Sequence, residues 1–382
     1  MTDEAMLPDL YGRWLKACLS GPIPAESQAN CAHCVMLPLP GEAAPAGFYF
    51  EPAIKCCSYL PELHNFLTGQ ILNAQDPDMQ AGRRTVEARI AAGAGVTPLG
   101  LAPAADYMLL YRHSRPAFGR SKALRCPHYL EEGGHCGIWK YRESTCATWF
   151  CKHRRGALGQ SFWRDYLQPL LAWVEHSLAL WCALELGFEL EALRPYLTPT
   201  QDGETEGLQP EQLERRADPR AQKRLWRHWL GREEEWYRAC ARQIAELEWQ
   251  QVLAICGPEV KAMARLARQA YERLLDHRLP PRLEPAACEL VQIRDGTLRI
   301  SSYSALDPVE IPSAILPVLH YFRDCKVREA IEAIAEQENI RLSDDLVIKL
   351  ADFGLLQTTT DREAEEPPDP RPGGDNGASH LE

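Results

Sequence analysis

The sequence predicts a mainly α protein in three structured parts: a cysteine-ligated metal domain at 1–160, a helical body at 161–280, and a small α+β module at 285–357, a hairpin followed by three helices. Three observations carry this. Cysteines crowd the first part among Pro, Gly and aromatic residues. Apolar residues recur at helical spacing through the second. After Pro280-Pro281 the period changes to strand-like alternation before it turns helical again.

Within 1–160, residues 60–72 and 79–92 read as short helices, and the remainder has the texture of a segment organised around bound metal rather than a large apolar core. Residues 162–188 place Leu167, Leu170, Leu171, Val174, Leu178 and Trp181 on one helical stripe. Beyond a polar connection near 198–210, Leu225, Trp229, Trp236, Cys240, Ile244 and Leu247 continue the pattern. Gly257-Pro258 ends that region, and 260–277 forms a further helix. In the third part 288–294 and 297–303 alternate around Asp295-Gly296, a dipeptide suited to a tight turn. Residues 312–322, 327–337 and 343–353 then read as helices, the last opened by Ser343 as N-cap. Residues 358–382 hold too few apolar side chains to fold and are expected to be a disordered tail.

Composition bounds the function. Apolar residues make up 45% and charged residues 25%, the balance of a folded globular chain. A net charge of -11 argues against nucleic acid as a partner, because that affinity comes from Lys and Arg neutralising phosphates. The Arg- and Trp-rich stretch 224–232 reads as a solvated face over a core stripe. The N-terminus lacks a basic segment followed by an apolar run, and the most apolar stretch, 170–186, is interrupted by Glu175, His176 and Glu185. The expectation is a cytoplasmic protein with no membrane span, in which fourteen cysteines serve as metal ligands, redox groups or buried apolar residues rather than as disulfides.

Eight of those cysteines cluster. Cys31-Ala32-His33-Cys34 has the spacing at which two thiolates turn toward one centre, and Cys56-Cys57 follows. Cys126, Cys136, Cys146 and Cys151 then fall within one short stretch. Four thiolates satisfy a tetrahedral zinc or a [4Fe–4S] cube, so eight complete two sites or one larger assembly. Adjacent Cys56 and Cys57 diverge in extended chain and are expected to serve different metals. Lys140, Arg142, Lys152, Arg154 and Arg155 would offset thiolate charge, while Trp139, Trp149 and Phe150 would exclude water. Those flanks favour an iron–sulfur cluster (4Fe–4S), with zinc as the alternative. His33, His64, His128, His135 and His153 are expected to support the site rather than ligate it. Cys18, Cys182, Cys240, Cys256, Cys288 and Cys325, isolated among apolar neighbours, read as small buried hydrophobes.

The block Cys136-Gly-Ile-Trp-Lys-Tyr-Arg-Glu-Ser-Thr-Cys146, followed by Phe150-Cys151, resembles the YkgJ-type cysteine-cluster family, described as zinc- or iron-chelating. In that family a Cys-x-Ile-Tyr-x-x-Arg-Pro-x-x-Cys block follows a Cys-rich loop ending in Cys-Cys. The resemblance spans about 31–151; Trp139 replaces the usual Tyr, Glu143 the usual Pro, and an insertion separates Cys34 from Cys56. It implies metal chelation by the eight cysteines, and because flagellin lysine N-methylases carry a similar cluster it admits peptide modification. The order of elements in 285–357 resembles the PqqD-like peptide-recognition fold, which implies a peptide or protein partner held along a strand edge near 291–300; a winged-helix-like packing module is the alternative. The function expected is a metal-binding protein carrying an iron–sulfur cluster, with a redox or electron-transfer role. A peptide- or protein-modifying enzyme and a structural zinc protein or adaptor are the alternatives. No catalytic acid–base set is recognisable in the chain.

Overall fold

The computed structural model describes residues 7–26, 34–37, 49–197, 210–213, 218–294 and 296–358. It is mainly helical with a few small sheets. Two compact units emerge, one of Met1–Arg154 with Leu158–Asp276, the other of Arg155–Ala157 with His277–Glu382.

In the first unit, α1 (Asp9–Leu19) buries Tyr11, Trp14, Leu15 and Cys18. Strand β1 (Leu63–His64) runs into α2 (Asn65–Asn73), and α3 (Gln80–Ala91) follows. The expected helix at 60–72 starts late because Pro61 and the pairing of β1 hold the chain extended. Strands β2 (Val96–Thr97) and β3 (Gly100–Leu101) complete a three-stranded antiparallel sheet in the order β1-β3-β2. Then come α4 (Ala105–His113), the hairpin β4 (Tyr129–Leu130) and β5 (His135–Cys136), and α5 (Ser144–Thr148). A short helix, α6 (Gly156–Ser161), continues through a π-helical turn at Phe162–Leu167 into α7 (Gln168–Glu185).

The expected continuous stripe from Leu225 to Leu247 is broken. Short helices α8 (Leu190–Leu193), α9 (Pro210–Leu213) and α10 (Pro219–Trp226) precede a 3-10 turn at Arg227–Trp229, where Arg227 has φ 50°. That turn buries Trp226 and leaves Trp229 half-buried. Helix α11 (Glu233–Ile244) carries Trp236, Tyr237, Cys240 and Ile244 inward. Helix α12 (Trp249–Leu275) is bent at Gly257, whose φ of 86° and ψ of -168° interrupt the helix just before Pro258.

The core gathers α1, α2, α7, α11 and α12 into one apolar cluster, so residue 160 does not separate two cores. The N-terminal part is less dependent on loops than its composition suggested, because α1 and α2 spend their apolar residues in that cluster. Helix α2 is buried on nearly all sides and crosses α11 so closely that a Cβ on Gly69 would lie 1.9 Å from the Tyr237 carbonyl oxygen. Among the described residues no helix is long and apolar enough to cross a membrane.

The second unit pairs β6 (Glu284–Pro285) with β10 (Leu356–Gln357) and builds a sheet from β7 (Glu289–Arg294), β8 (Thr297–Ser301) and β9 (Val309–Pro312) in the order β7-β8-β9. Strand β9 and α13 (Ile315–Val318) occupy the approach to the helix expected over 312–322, because Val309 and Ile311 alternate onto the buried face. Helices α14 (Val327–Gln337) and α15 (Asp344–Asp352) close the core, the latter capped by the Ser343 hydroxyl, which accepts from Leu346 N at 3.2 Å. Of the six cysteines read as buried hydrophobes, Cys18, Cys182 and Cys240 are buried and Cys256 and Cys325 half-buried, whereas Cys288 is exposed because it precedes the edge strand β7. The expected tail lies almost wholly outside the described residues.

Candidate metal centre

Loops rather than long helices carry the clustered cysteines, and short backbone hydrogen bonds set each loop. Cys34 opens a turn in which Leu37 N donates to Cys34 O at 3.1 Å, and Met36 and Phe50, both buried, join it to the next segment through Phe50 N to Met36 O at 2.8 Å. Cys56 and Cys57 follow Lys55, which sits in the left-handed region at φ 54°. That turn overturns the expectation that the two thiols diverge: they face one cavity, and Cys57 donates a hydrogen bond to Cys56. The Cys126 amide donates to Cys57 O at 2.7 Å, joining the two cysteine-bearing stretches.

Cys136 ends the hairpin opposite Tyr129. Next to it, Gly137 packs against α3 so tightly that a Cβ on Gly82 would fall 1.7 Å from the Gly137 oxygen. Cys146 lies in α5, whose N-cap is Glu143: the carboxylate accepts from Thr145 N at 2.6 Å and Cys146 N at 2.7 Å. Glutamate at this position therefore caps a helix, a task the proline usual in the resembling block cannot perform with its side chain.

These loops enclose a cavity of about 180 Å3, well above the ~10–15 Å3 that one water requires. Cys34, Cys56, Cys57, Cys126, Cys136, Cys146 and Cys151 all line it. Cys31 and His33 lie outside the described residues. Trp139, Trp149 and Phe150 supply the aromatic wall the sequence suggested, joined by Tyr59, Tyr111 and Phe118, which periodicity could not single out because they belong to no regular stripe. Of the flanking cations, Arg142 and Lys152 line the wall, with Lys55 in addition; Lys140 instead pairs with Asp76 on the surface. The Arg142 guanidinium lies 3.3 Å from the Trp139 ring centroid and donates to Cys146 O at 3.3 Å.

Electrostatics divides the thiols. Cys56 is lowered to about 7, chiefly by the hydrogen bond from Cys57 and, against the opposing effect of burial, by Arg142. Cys57 is raised because it donates that bond and is buried. Burial pushes Cys126 up to about 11 and raises Cys34 and Cys146, the last also through Glu143. Buried thiols of this kind give up their protons readily only to a cationic centre.

Among the described residues no group of three or more His, Cys, Asp or Glu side chains is placed to hold a single metal ion. His128 also lines the cavity, but Nδ1 is 2.6 Å from Thr85 Oγ1, Nε2 is 3.2 Å from an Arg89 nitrogen, and burial lowers its pKa to about 3. Both ring nitrogens are engaged, and the imidazole braces α3 against the Cys126 loop.

Behind α5 lies a network absent from the sequence reading. Glu175 on α7 accepts from Tyr11 OH, Ser144 N at 2.7 Å and Ser144 Oγ at 2.7 Å, and Ser144 Oγ is also 3.3 Å from Glu143. Burial first, then the neighbouring Glu143, pushes Glu175 up to about 8. Its only sequence signal was a glutamate inside an apolar helix.

Comparison with family models, with curated proteins and with solved structures gave no match for this chain.

Proposed function

We propose that the protein binds an iron–sulfur centre in the cysteine-lined cavity and serves in electron transfer. One observation carries the reading: seven cysteines from three separate stretches, spanning Cys34 to Cys151, line a single cavity. The ligands would be Cys34, Cys56, Cys57, Cys126, Cys136, Cys146 and Cys151, with Cys31 as the eighth. Among the described residues the wall offers soft sulfur and no carboxylate, which fits zinc or iron–sulfur rather than calcium or magnesium.

The arrangement favours a polynuclear centre over a lone zinc. A single zinc takes only four ligands, at about 2.0–2.3 Å, and would leave the other thiols of the same cavity without a metal. Thiols spread around a roomy cavity suit a centre that brings its own bridging sulfides. Such a centre supplies reversible one-electron redox chemistry. Around it, Lys55, Arg142 and Lys152 offset thiolate charge, and the aromatic wall keeps water from the sulfurs.

Anaerobic purification followed by metal and acid-labile sulfide analysis and a visible spectrum tests the reading. The expected result is a brown protein containing iron and sulfide, lost together in Cys136→Ser and Cys146→Ser. A colourless protein with stoichiometric zinc retires the redox role. A chain that retains neither metal and folds normally with both substitutions removes metal binding altogether.

A further inference from the structure

Strand β7 is the terminal strand of its sheet and pairs only with β8 among the described residues. Edge strands normally carry inward charges, proline or a covering segment to prevent pairing. Here Leu290, Val291 and Ile293 are 47%, 48% and 67% exposed. The register explains where they stand. A bulge at Val291 sets Leu290 opposite Ile300 and Ile293 opposite Leu298. Leu290 and Ile293 therefore lie on the same face as buried Leu298 and Ile300, although three residues apart in sequence. The apolar face of the sheet extends one strand beyond the part that is buried.

We infer that a second copy of this chain covers this edge, β7 pairing antiparallel with its own copy about a two-fold axis normal to the sheet. The strand sequence, Glu289-Leu-Val-Gln-Ile-Arg294, is complementary to itself in that register. Glu289 stands opposite Arg294 of the second copy, Leu290 opposite Ile293, and Val291 opposite Gln292, each pair occurring twice. The bulge makes the faces agree, since Leu290 and Ile293 share one face while Glu289 and Arg294, opposite Ser301 and Thr297, share the other. The axis passes through the bulge, so both strands carry the same irregularity at the same place. The result is one six-stranded sheet in which the sequence sets residues of opposite charge, Glu289 and Arg294, at facing register positions at each end of the seam. Residues 359–382 are poorly suited to cover the edge, as Leu381 is their one large apolar side chain.

A seam of one short strand makes a weak, concentration-dependent dimer. Sedimentation equilibrium of the full chain over a wide concentration range is expected to give a reversible monomer–dimer equilibrium. Ile293→Lys is expected to raise the dissociation constant about tenfold or more, because the lost pair is made twice. Glu289→Lys opposes like charges and also weakens the dimer, while Glu289→Lys combined with Arg294→Glu restores it. Hydrogen exchange on the unaltered chain provides an independent reading: amides of 289–294 gain protection as concentration rises. A chain that is monomeric throughout, as it would be if the edge took a peptide strand instead, overturns the inference. So does a dimer indifferent to Ile293→Lys, a double variant that fails to recover, or exchange at 289–294 that ignores concentration.

Discussion

Cys182 and Cys240 touch across α7 and α11 in the packed core, the Cys182 thiol 3.8 Å from the Cys240 carbonyl oxygen, and both have no exposure. Cys56, Cys57, Cys136 and Cys146 belong to the same unit yet face open space. Residue type is the same; the supporting backbone differs. A cysteine on the apolar stripe of a helix meets side chains that fill its surroundings, so its small volume and weak polarity decide its role. A cysteine on a turn is held by backbone hydrogen bonds that leave the space before it empty, so its chemistry decides. Loops set by Lys55 in the left-handed region, by the hairpin ending at Cys136 and by the Glu143 cap keep that space open.

The comparison breaks first at the glycines that fit each region together. Gly69→Ala forces a methyl group into the Tyr237 backbone and is expected to destabilise the first unit by about 3 kcal/mol or more, read by urea unfolding. Gly82→Ala presses on the Gly137 backbone and should also destabilise, and, if the proposed iron–sulfur centre is present, should lower iron content as well, as the Cys136 hairpin is displaced. Equal iron content in both variants would show that hairpin position does not matter to the cavity.

Serine substitution sharpens the contrast. Cys182→Ser is expected to cost about 1–2 kcal/mol by placing a hydroxyl in the apolar core, with metal content per folded molecule unchanged. Cys136→Ser should do the reverse under the proposed function, lowering metal content at smaller cost to the metal-free fold. Loss of metal in Cys182→Ser with normal folding would dissolve the distinction between the two regions.

Glu175 links the regions and gives a pH test. Its carboxyl is raised from 4.5 to about 8, so the folded chain holds a proton that the unfolded chain releases across that window. Stability contributed by this group is therefore greatest below about pH 4.5 and falls as pH rises toward 8. Glu175→Gln, which keeps the shape and stays neutral, should melt higher than the unaltered chain at pH 8, the gap shrinking as pH falls toward 5. A constant gap would mean that the buried carboxyl titrates normally. The smallest expected effect is outside this unit: Ser343→Ala removes the cap of α15 and should cost about 1 kcal/mol, seen as a small shift in the unfolding midpoint.

Local physics was legible where one residue or one period decides the outcome. The run of 327–337 folds as α14, Ser343 caps α15, and Gly257-Pro258 interrupts its helix, because a helical stripe, a hydroxyl cap and a residue at positive φ each act within a few positions. The stripe through 225–247 misled because a pattern cannot reveal that Arg227 takes a positive φ in a 3-10 turn and that Trp226 rather than Trp229 is fully buried. Glu143 appeared only as a departure from a motif, and its role as a helix cap emerged from backbone geometry.

By itself the sequence determined that a mainly helical chain would carry its cysteines in two populations, since apolar spacing and thiol clustering are both properties of neighbours along the chain. Tertiary structure decided which of them meet. Stretches as far apart as Cys34 and Cys151 close on one cavity through hydrogen bonds such as Cys126 N to Cys57 O and through the contact of Gly82 with Gly137. It also decided that α1 and α2 join α7, α11 and α12 in a single core, because the apolar face of a helix is indifferent to whether its partner is near or distant in sequence.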